Sequence, residues 1–352
     1  MTCKIAYLPG DGVGPEVAAA ARAVMMRACE IFSIPLKFEE HDFGGVAIDR
    51  HGDPLPPGTL TGCLDSDAVF LGAVGGPKWE RGGPRPETGL LALRKHLGVY
   101  ANLRPIRVMP GMEKHSPLTP ERARGCNILI LRELTGGLYF GEKHEGTERA
   151  SDTCVYTREE VTRVARIAFE AARQRRGKVT SVDKANVMAT SRLWRAAVIA
   201  LHETDYRDVE LEHVLVDAMA MKLIQRPAAF DVVLTENLFG DILSDEASVI
   251  AGSIGLAPSA SLGDGTRGLY EPIHGSAPDI AGQDKANPAG AILSGAMLLR
   301  FSLKQEEAAA AIERAVEETI AAGFGTGDIG GRDGCGEFAK RVEAAIAPEG
   351  GV

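Results

Sequence analysis

Apolar, β-branched segments that run directly into helical patterns recur along this chain, and this alternation restricts the possible folds most. In the stretch 230–252, FDVVLTENLFGDILSDEASVIAG, residues 230–235 predict a buried strand, and the residues from Leu238 onward predict a helix. Further strands are predicted at residues 4–8, 67–71, 127–131, 178–182 and 209–216. Repeated strand–helix units predict an α/β fold with a largely parallel sheet.

Size and composition agree with an ordinary globular protein. The chain has 352 residues, of which 45% are hydrophobic, and this length predicts two domains. The net charge of −9 and the absence of a long basic run argue against nucleic-acid or anionic membrane partners. Six scattered cysteines without a CxxC pair predict free thiols, and no signal peptide or membrane-spanning run is recognised. We therefore expect a cytoplasmic protein.

Two aspartates on the predicted helix after residue 237 are four positions apart. Asp241 and Asp245 therefore point the same way, one turn above the other, and their charges repel. A hard divalent cation such as Mg²⁺ or Mn²⁺ would explain the pairing, because these ions take oxygen ligands. A solvated acidic face, or carboxylates favoured by the helix dipole, explains it equally well from this stretch alone.

Several residues with chemically useful side chains or flexible backbones directly follow predicted strands. They are Gly10, Arg132, Lys184, Asp217 and Asp241. Ligands of parallel sheets bind beyond the carboxyl ends of the strands, so we expect these residues to share one functional region.

Three arginines, a lysine and a tyrosine complete the candidate chemistry. Arg94, Arg104 and Arg132 predict a substrate with more than one carboxylate, because guanidinium groups bind carboxylates through a planar fork. Lys184 and Tyr139 form the acid/base set, since a lysine near a cation and arginines loses its proton more easily, as a general base must. Taken singly, surface ion pairs and a solvated lysine are the ordinary alternatives.

The glycine-rich loop after the first strand, PGDGVGPE, is not an ordinary dinucleotide-binding fingerprint. The third glycine of GxGxxG would fall at position 15, which is Pro15. A proline at this position suits the first turn of a helix instead. The sequence therefore argues against an ordinary Rossmann fold.

Seven segments spread over nearly the whole chain carry a family resemblance. They read LPGDGVGPEV, LGAVGGPKWE, LLALRKHLGVYANLRP, RELTGGLYFGE, VTSVDKANV, TENLFGDILSDEAS and GLYEPIHGSAPDIAG followed by ANP. In this order they resemble the isocitrate/isopropylmalate family of β-decarboxylating dehydrogenases. The resemblance implies two α/β domains sharing a continuous sheet. Residues 1–100 with 252–352 would form the discontinuous cofactor-binding domain, and residues 101–251 the domain with the metal and substrate site.

The resemblance also implies roles for individual residues. Asp217, Asp241 and Asp245 would hold Mg²⁺ or Mn²⁺, with Asp217 and Lys184 supplied by the second subunit of a homodimer. The polar arm 141–152 would lie at the dimer interface. Lys184 would take a hydroxyl proton through a bridging water, and Tyr139 would protonate an enol. The three arginines would bind the substrate carboxylates, and a non-catalytic regulatory subunit is the remote alternative.

The cofactor implied by the resemblance is NAD. Its predicted contacts are Gly75, Gly76, Glu87, Asn186, Glu271, His274, Gly275, Ser276, Ala277, Asp279, Ile280 and Asn287. A carboxylate at Asp279 can accept hydrogen bonds from both ribose hydroxyls and repels a 2′-phosphate, which favours NAD over NADP.

Substrate choice is expected to depend on the helix that begins near residue 87. Glu87, Leu90 and Leu91 match the pattern in which leucines contact an isopropyl group. The resemblance adds Asp217 and Val187 to the substrate-binding residues. The extra carboxylate of isocitrate would be left unpaired against two leucines, at a cost. Two core leucines are the alternative explanation, and D-malate, other 3-alkylmalates and homoisocitrate remain possible substrates.

Overall fold

Twelve strands are present in the computed structural model, which describes residues 2–80 and 82–348. In chain order they are β1 Cys3–Gly10, β2 Leu36–Glu40, β3 Ala68–Ala73, β4 Ala101–Arg107, β5 Asn127–Glu133, β6 Lys143–His144, β7 Ser151–Asp152, β8 Lys178–Asp183, β9 Glu210–Leu215, β10 Val232–Thr235, β11 Pro258–Leu262 and β12 Leu269–Pro272.

Twelve α-helices alternate with these strands. They are α1 Gly14–Ile31, α2 Gly45–His51, α3 Pro57–Leu64, α4 Pro86–Leu97, α5 Pro120–Ala123, α6 Arg158–Arg173, α7 Ala189–Asp205, α8 Val216–Gln225, α9 Asn237–Ile250, α10 Ala289–Phe301, α11 Glu306–Ala321 and α12 Cys335–Ala345. No helix among the described residues is both long and apolar enough to cross a membrane.

The predicted strand–helix alternation is confirmed for most of the chain. No strand was predicted for the segments of β11 and β12, because β11 is rich in Ser and begins with Pro, and β12 has only four residues, so each carries little strand signal. After residue 287, helices α10, α11 and α12 follow one another without a strand between them among the described residues. The polar arm contains the short antiparallel pair β6–β7, in which Lys143 lies opposite Asp152.

The chain divides into two compact units. The first comprises Met1–Val99, Met109–His115 and Gly252–Val352, of which Met1, Arg81 and residues 349–352 lie outside the described residues. Its strands have the order β2-β1-β3-β12-β11, with parallel pairing except between β11 and β12. Helix α10 is apolar on nearly every side and almost wholly buried, as expected of a central core helix.

The second unit comprises Tyr100–Val108 and Ser116–Ala251. Its strands have the order β4-β5-β10-β8-β9, and only β4 runs antiparallel to its neighbour. The carboxyl ends of β5, β10, β8 and β9 therefore meet at one edge, where Thr235 of β10 lies between Arg132 of β5 and Val182 of β8. This register brings the residues that follow these strands to the same edge of the sheet.

Helix α6 shows how local sequence signals define element ends. Thr157 and Glu160 form a capping box, in which the Glu160 backbone amide donates to the Thr157 hydroxyl and the Thr157 backbone amide donates to the Glu160 carboxylate. The apolar stripe of the helix, which includes Val161, Val164 and Phe169, is fully buried. The helix is consequently fixed at its start and along one face.

Candidate active site

The two predicted acidic residues of α9 face a cluster of arginines in the second unit. Asp241 and Asp245 are partly exposed, and the buried side of α9 packs against β5 so closely that a Cβ on Gly240 would lie 2.8 Å from Cβ of Arg132. A glycine is needed at this position because any side chain would push the helix away from the strand. The close approach lets α9 carboxylates reach strand side chains.

Arg104 and Arg132 neutralise the two carboxylates. The Arg104 guanidinium lies 3.4 Å from Asp241 and 3.2 Å from Asp245, and Arg132 donates to Asp241 through a very short contact. Both arginines are buried and have further support, since Arg132 Nε donates to Asn237 Oδ1 at 2.9 Å and Arg104 donates to Ser244 at 2.6 Å. The like-charge repulsion expected between the aspartates is therefore offset by cations within the same unit.

Tyr139 joins this cluster from the 3₁₀ turn Gly137–Tyr139. Its hydroxyl donates to Asp241 Oδ2 at 2.7 Å, and its ring lies 5.4 Å from the Arg132 guanidinium carbon. Burial, followed by the hydrogen bond to Asp241, raises the pKa of Tyr139. The phenol is thus kept protonated at neutral pH, in the state required of a proton donor.

Lys184 and Asp217 form a separate pair in the same unit. Lys184 follows β8, Asp217 lies in the first turn of α8, and their side chains meet at 2.6 Å. The hydrogen bond from Lys184 lowers the pKa of Asp217, whose side chain is 60% exposed. Asn186 and Val187, in the turn after Lys184, are also exposed. No group of three or more His, Cys, Asp or Glu side chains suited to a metal ion is found in the described part of the chain.

The first unit contains the remaining predicted substrate residues. Arg94, near the end of α4, donates to the Glu271 carboxylate at 2.8 Å, and both groups are buried. Leu90 packs against the apolar core beneath α4, as the core-leucine alternative expects, and both Leu90 and Leu91 retain partial exposure. Glu87 is exposed, and its carboxylate lies beside Gly75.

The predicted cofactor residues from His274 to Asn287 lie in one loop after β12, and Glu271 lies in β12 itself. The loop is tied to the start of α1, because the Val13 amide donates to the Ser276 carbonyl at 2.8 Å. His274 Nδ1 lies 2.9 Å from the Gly275 carbonyl, while its Nε2 is buried without a partner. Burial lowers the pKa of His274, so the ring is neutral with Nε2 as an acceptor. Asp279 is exposed on the same loop.

Four carboxylate or amide side chains that organise these regions were not predicted as site residues. Asp11 accepts from the amides of Gly45, Val46 and Gly75, and Glu16 accepts from the amides of Gly282 and Asp284. The other two, Asn237 and Asp328, bind predicted site residues directly: Asn237 supports Arg132, and Asp328 accepts from Asn287 at 2.9 Å. The only sequence signal for them was their position beside strand ends or inside polar loops.

Comparison with known proteins shows which family this chain is similar to. The model of the family described as isocitrate/isopropylmalate dehydrogenase matches residues 4–342. A protein of Gloeobacter violaceus named 3-isopropylmalate dehydrogenase is 53% identical, over 97% of this chain and 98% of the relative. A protein of the same name from Anaeromyxobacter dehalogenans is 56% identical, over 94% of this chain and 96% of the relative.

Solved structures show the same similarity. The isocitrate dehydrogenase of Methylococcus capsulatus matches with a TM-score of 0.87 at 34% identity, covering 98% of this chain and 99% of that one. A β-decarboxylating dehydrogenase of Thermococcus kodakarensis matches with a TM-score of 0.80 at 39% identity, covering 98% and 96% of the two chains.

Proposed function

The chain belongs to the isocitrate/isopropylmalate dehydrogenase family, and on this premise we propose that it catalyses one step of leucine biosynthesis. The reaction is the NAD-dependent oxidative decarboxylation of (2R,3S)-3-isopropylmalate to 4-methyl-2-oxopentanoate. The observation that carries the proposal is the identity of 53% and 56%, over nearly complete chains, to relatives named for this activity. The cluster of Arg104, Arg132, Tyr139, Asp241 and Asp245 supports it chemically.

The carboxylates of α9 fit a divalent cation. Asp241 and Asp245 offer hard oxygen donors on one helix face, which is the donor type that Mg²⁺ and Mn²⁺ prefer. Two ligands from one chain leave the site incomplete, and we assign the third to Asp217 of a second copy. Asp217 is exposed at the start of α8, so it is available to a neighbouring chain.

The faces of α8 and α9 support a homodimer that shares its sites. On α8, Met221 and Ile224 are exposed at positions i+4 and i+7 from Asp217, so all three lie on one face. On α9, Ile242 and Val249 are exposed on the same face as Asp245. Exposed apolar side chains around acidic groups favour burial against a second copy, which would bring Asp217 and Lys184 to the partner's α9.

The first unit fits NAD. The unpartnered Nε2 of His274 is an acceptor for a ligand N–H, such as the amino group of adenine. The carboxylate of Asp279 is exposed on the same loop and suits two ribose hydroxyls better than a phosphate. When bound, NAD⁺ supplies the hydride acceptor, and Mg²⁺ or Mn²⁺ supplies Lewis acidity at the substrate oxygens.

The chain's own residues bind the substrate and move protons. Arg94, Arg104 and Arg132 bind the two malate carboxylates, the same chemical group that each of them holds in this structure. Nζ of Lys184 accepts the hydroxyl proton, directly or through one water. After CO₂ has left, the hydroxyl of Tyr139 donates its proton to the enol carbon, and its raised pKa keeps that proton available until then.

Substrate preference is assigned to α4. Leu90 and Leu91 are partly exposed, so an isopropyl group can be buried against them, whereas a third carboxylate would lose its water without gaining a partner. The six free cysteines and the biosynthetic role support a cytoplasmic location as part of the same proposal.

The proposal is tested by the specificity constant of the purified chain. With NAD⁺ and Mn²⁺, we expect kcat/KM for 3-isopropylmalate to exceed that for D-malate, homoisocitrate and isocitrate by at least about tenfold. Formation of NADH and of CO₂ in equal amounts confirms oxidative decarboxylation. A higher constant for D-malate would contradict the substrate assignment, and turnover of none of these acids would contradict the function.

A further inference from the structure

A buried carboxylate precedes the proposed proton donor Tyr139 by six residues in the chain. Glu133, the last residue of β5, is fully buried, although nothing in the proposed reaction uses it. Its two oxygens accept from the Thr135 amide at 2.9 and 3.0 Å, the Thr135 hydroxyl at 2.7 Å and the Gly136 amide at 2.7 Å. A buried carboxylate is costly unless donors surround it, and here every donor comes from residues 133–137, named the Glu133 loop.

A single arginine ties the Glu133 loop to helix α6. Arg163 donates to the Thr135 hydroxyl at 2.5 Å and lies 3.6 Å from the Glu133 carboxylate. Its guanidinium carbon also lies 4.3 Å from the centre of the Tyr100 ring. Helix α6 is itself held in place by its capping box and its buried stripe. The contacts of Arg163 therefore hold the Glu133 loop in place relative to this helix.

The other side of the Glu133 loop is packed closely against Tyr156. A Cβ on Gly136 would lie 2.5 Å from the Tyr156 ring, and Gly137 has a φ of +73°. The Gly136 carbonyl accepts from the Asn237 side chain, and the Asn237 backbone amide donates to the Tyr156 hydroxyl at 2.9 Å. The loop is therefore contacted on both sides, and it continues directly into the 3₁₀ turn that ends at Tyr139.

We propose that Glu133 and Arg163 are positioning residues that hold the Glu133 loop so that the Tyr139 hydroxyl meets the enol carbon. This inference rests on the proposed function, in which Tyr139 acts only after hydride and CO₂ have left. Loosening the loop should therefore slow the final proton transfer and leave hydride transfer nearly unchanged. We expect substrate binding to change little, because Arg132 lies within β5 and its contacts with Asn237 and Asp241 involve neither Glu133 nor Arg163.

The test compares Arg163→Ala with Arg166→Ala. Both residues lie on α6, but Arg166 pairs with Asp205 and stacks on Tyr206, away from the Glu133 loop. For Arg163→Ala, we expect kcat to fall about tenfold with KM for 3-isopropylmalate within about twofold of wild type, because small misplacements of a catalytic group are costly. Arg166→Ala should stay within about twofold in both constants.

Stopped-flow detection of NADH separates positioning from general loosening. In the first turnover, Arg163→Ala should form NADH at close to the wild-type rate and then turn over slowly. Glu133→Gln should show the same pattern more strongly, because an amide replaces one acceptor oxygen with a donor that faces other donors. Equal slowing of the first turnover and the steady state, or no change in either, would overturn the proposal.

Amide hydrogen exchange tests the positioning independently of activity. Exchange of residues 134–140 should be faster in Arg163→Ala than in Arg166→Ala and wild type. Unchanged protection there would overturn the positioning role, whatever the substrate. Absence of activity in wild type and in Arg166→Ala would instead contradict the proposed function, while the exchange result would still decide the role of Arg163.

Discussion

At the scale of single residues, Asp241 combines several roles. It accepts from Tyr139, pairs with Arg104 and Arg132, and is assigned as a metal ligand. A cation and two arginines compete for the same carboxylate, so binding of a metal and a substrate is expected to exchange these partners. The arginines are then available to the substrate carboxylates.

Replacing Asp241 by asparagine tests the metal assignment. Asp241→Asn should weaken Mn²⁺ binding at least about tenfold, about 1.4 kcal/mol, because an amide oxygen carries no net charge. The free energy of unfolding should fall by only about 1–2 kcal/mol, since Arg132 loses a partly exposed partner and keeps Asn237. Calorimetric titration with Mn²⁺ and urea unfolding measure the two effects.

The control for this prediction is Glu246→Gln on the same helix, which should leave Mn²⁺ affinity within about twofold of wild type because Glu246 is not assigned to the metal. Unchanged Mn²⁺ affinity in Asp241→Asn, together with activity equal to wild type after treatment with EDTA, would exclude Asp241 as a ligand.

What could be predicted at this scale depended on local spacing. The four-residue spacing of Asp241 and Asp245 predicted a shared helix face, because helical periodicity is a local property. The position of Arg132 and Asp241 after strands predicted a shared region, but their direct ion pair could not be predicted, since the two residues are 109 apart in the chain. Glu133 and Asn237 were missed for the same reason, as their roles consist of contacts with backbone and with distant side chains.

At the scale of elements, α8 and α9 each present an exposed apolar face beside an acidic residue. An isolated unit would leave Met221, Ile224, Ile242 and Val249 in water. Ordinary surface helices keep one polar face, so these faces indicate a surface that is covered in the functional protein. We propose that α8 and α9 of a second copy cover these faces.

A charge on this face should separate the two copies. Met221, which is 58% exposed, can accept a glutamate in the monomer at little cost, whereas a dimer would have to bury the charge. Met221→Glu should therefore shift the protein to monomers in analytical ultracentrifugation and remove most of its activity. Met26→Glu, at the 44% exposed Met26 of α1, should change neither property. A fully active Met221→Glu dimer would contradict the assigned interface.

Element types were largely predictable from the sequence, whereas some weak strands were not. The apolar runs of β1, β3, β5, β8 and β10 were recognised because fully buried parallel strands are continuously hydrophobic. Strands β11 and β12 have a weak strand signal in their own sequences. They are strands because they pair with each other, and because β12 also pairs with β3. The helix predicted from Leu238 onward is present as α9, which begins one residue earlier, at Asn237.

At the scale of the whole molecule, the family resemblance found in seven sequence segments is confirmed by the family match over residues 4–342. The α/β class with mainly parallel strands is likewise confirmed in each unit. In the proposed site, Lys184 and Asp217 meet the α9 carboxylates of a different chain, so the complete site needs two chains. One chain alone could not reveal this, because a shared site depends on surfaces of two copies.

In the proposed dimer, Lys184 and Asp217 of one chain work with Asp241 and Asp245 of the other. This arrangement is tested by mixing the inactive variants Lys184→Ala and Asp241→Ala and letting their subunits exchange. Half of the dimers then contain one chain of each variant, and each such dimer has one intact site. Activity should then return to about a quarter of wild type. Mixing Lys184→Ala with Asp217→Ala should restore nothing, since both groups come from the same chain. No recovery in the first mixture, with exchange confirmed by native mass spectrometry, would contradict the shared site.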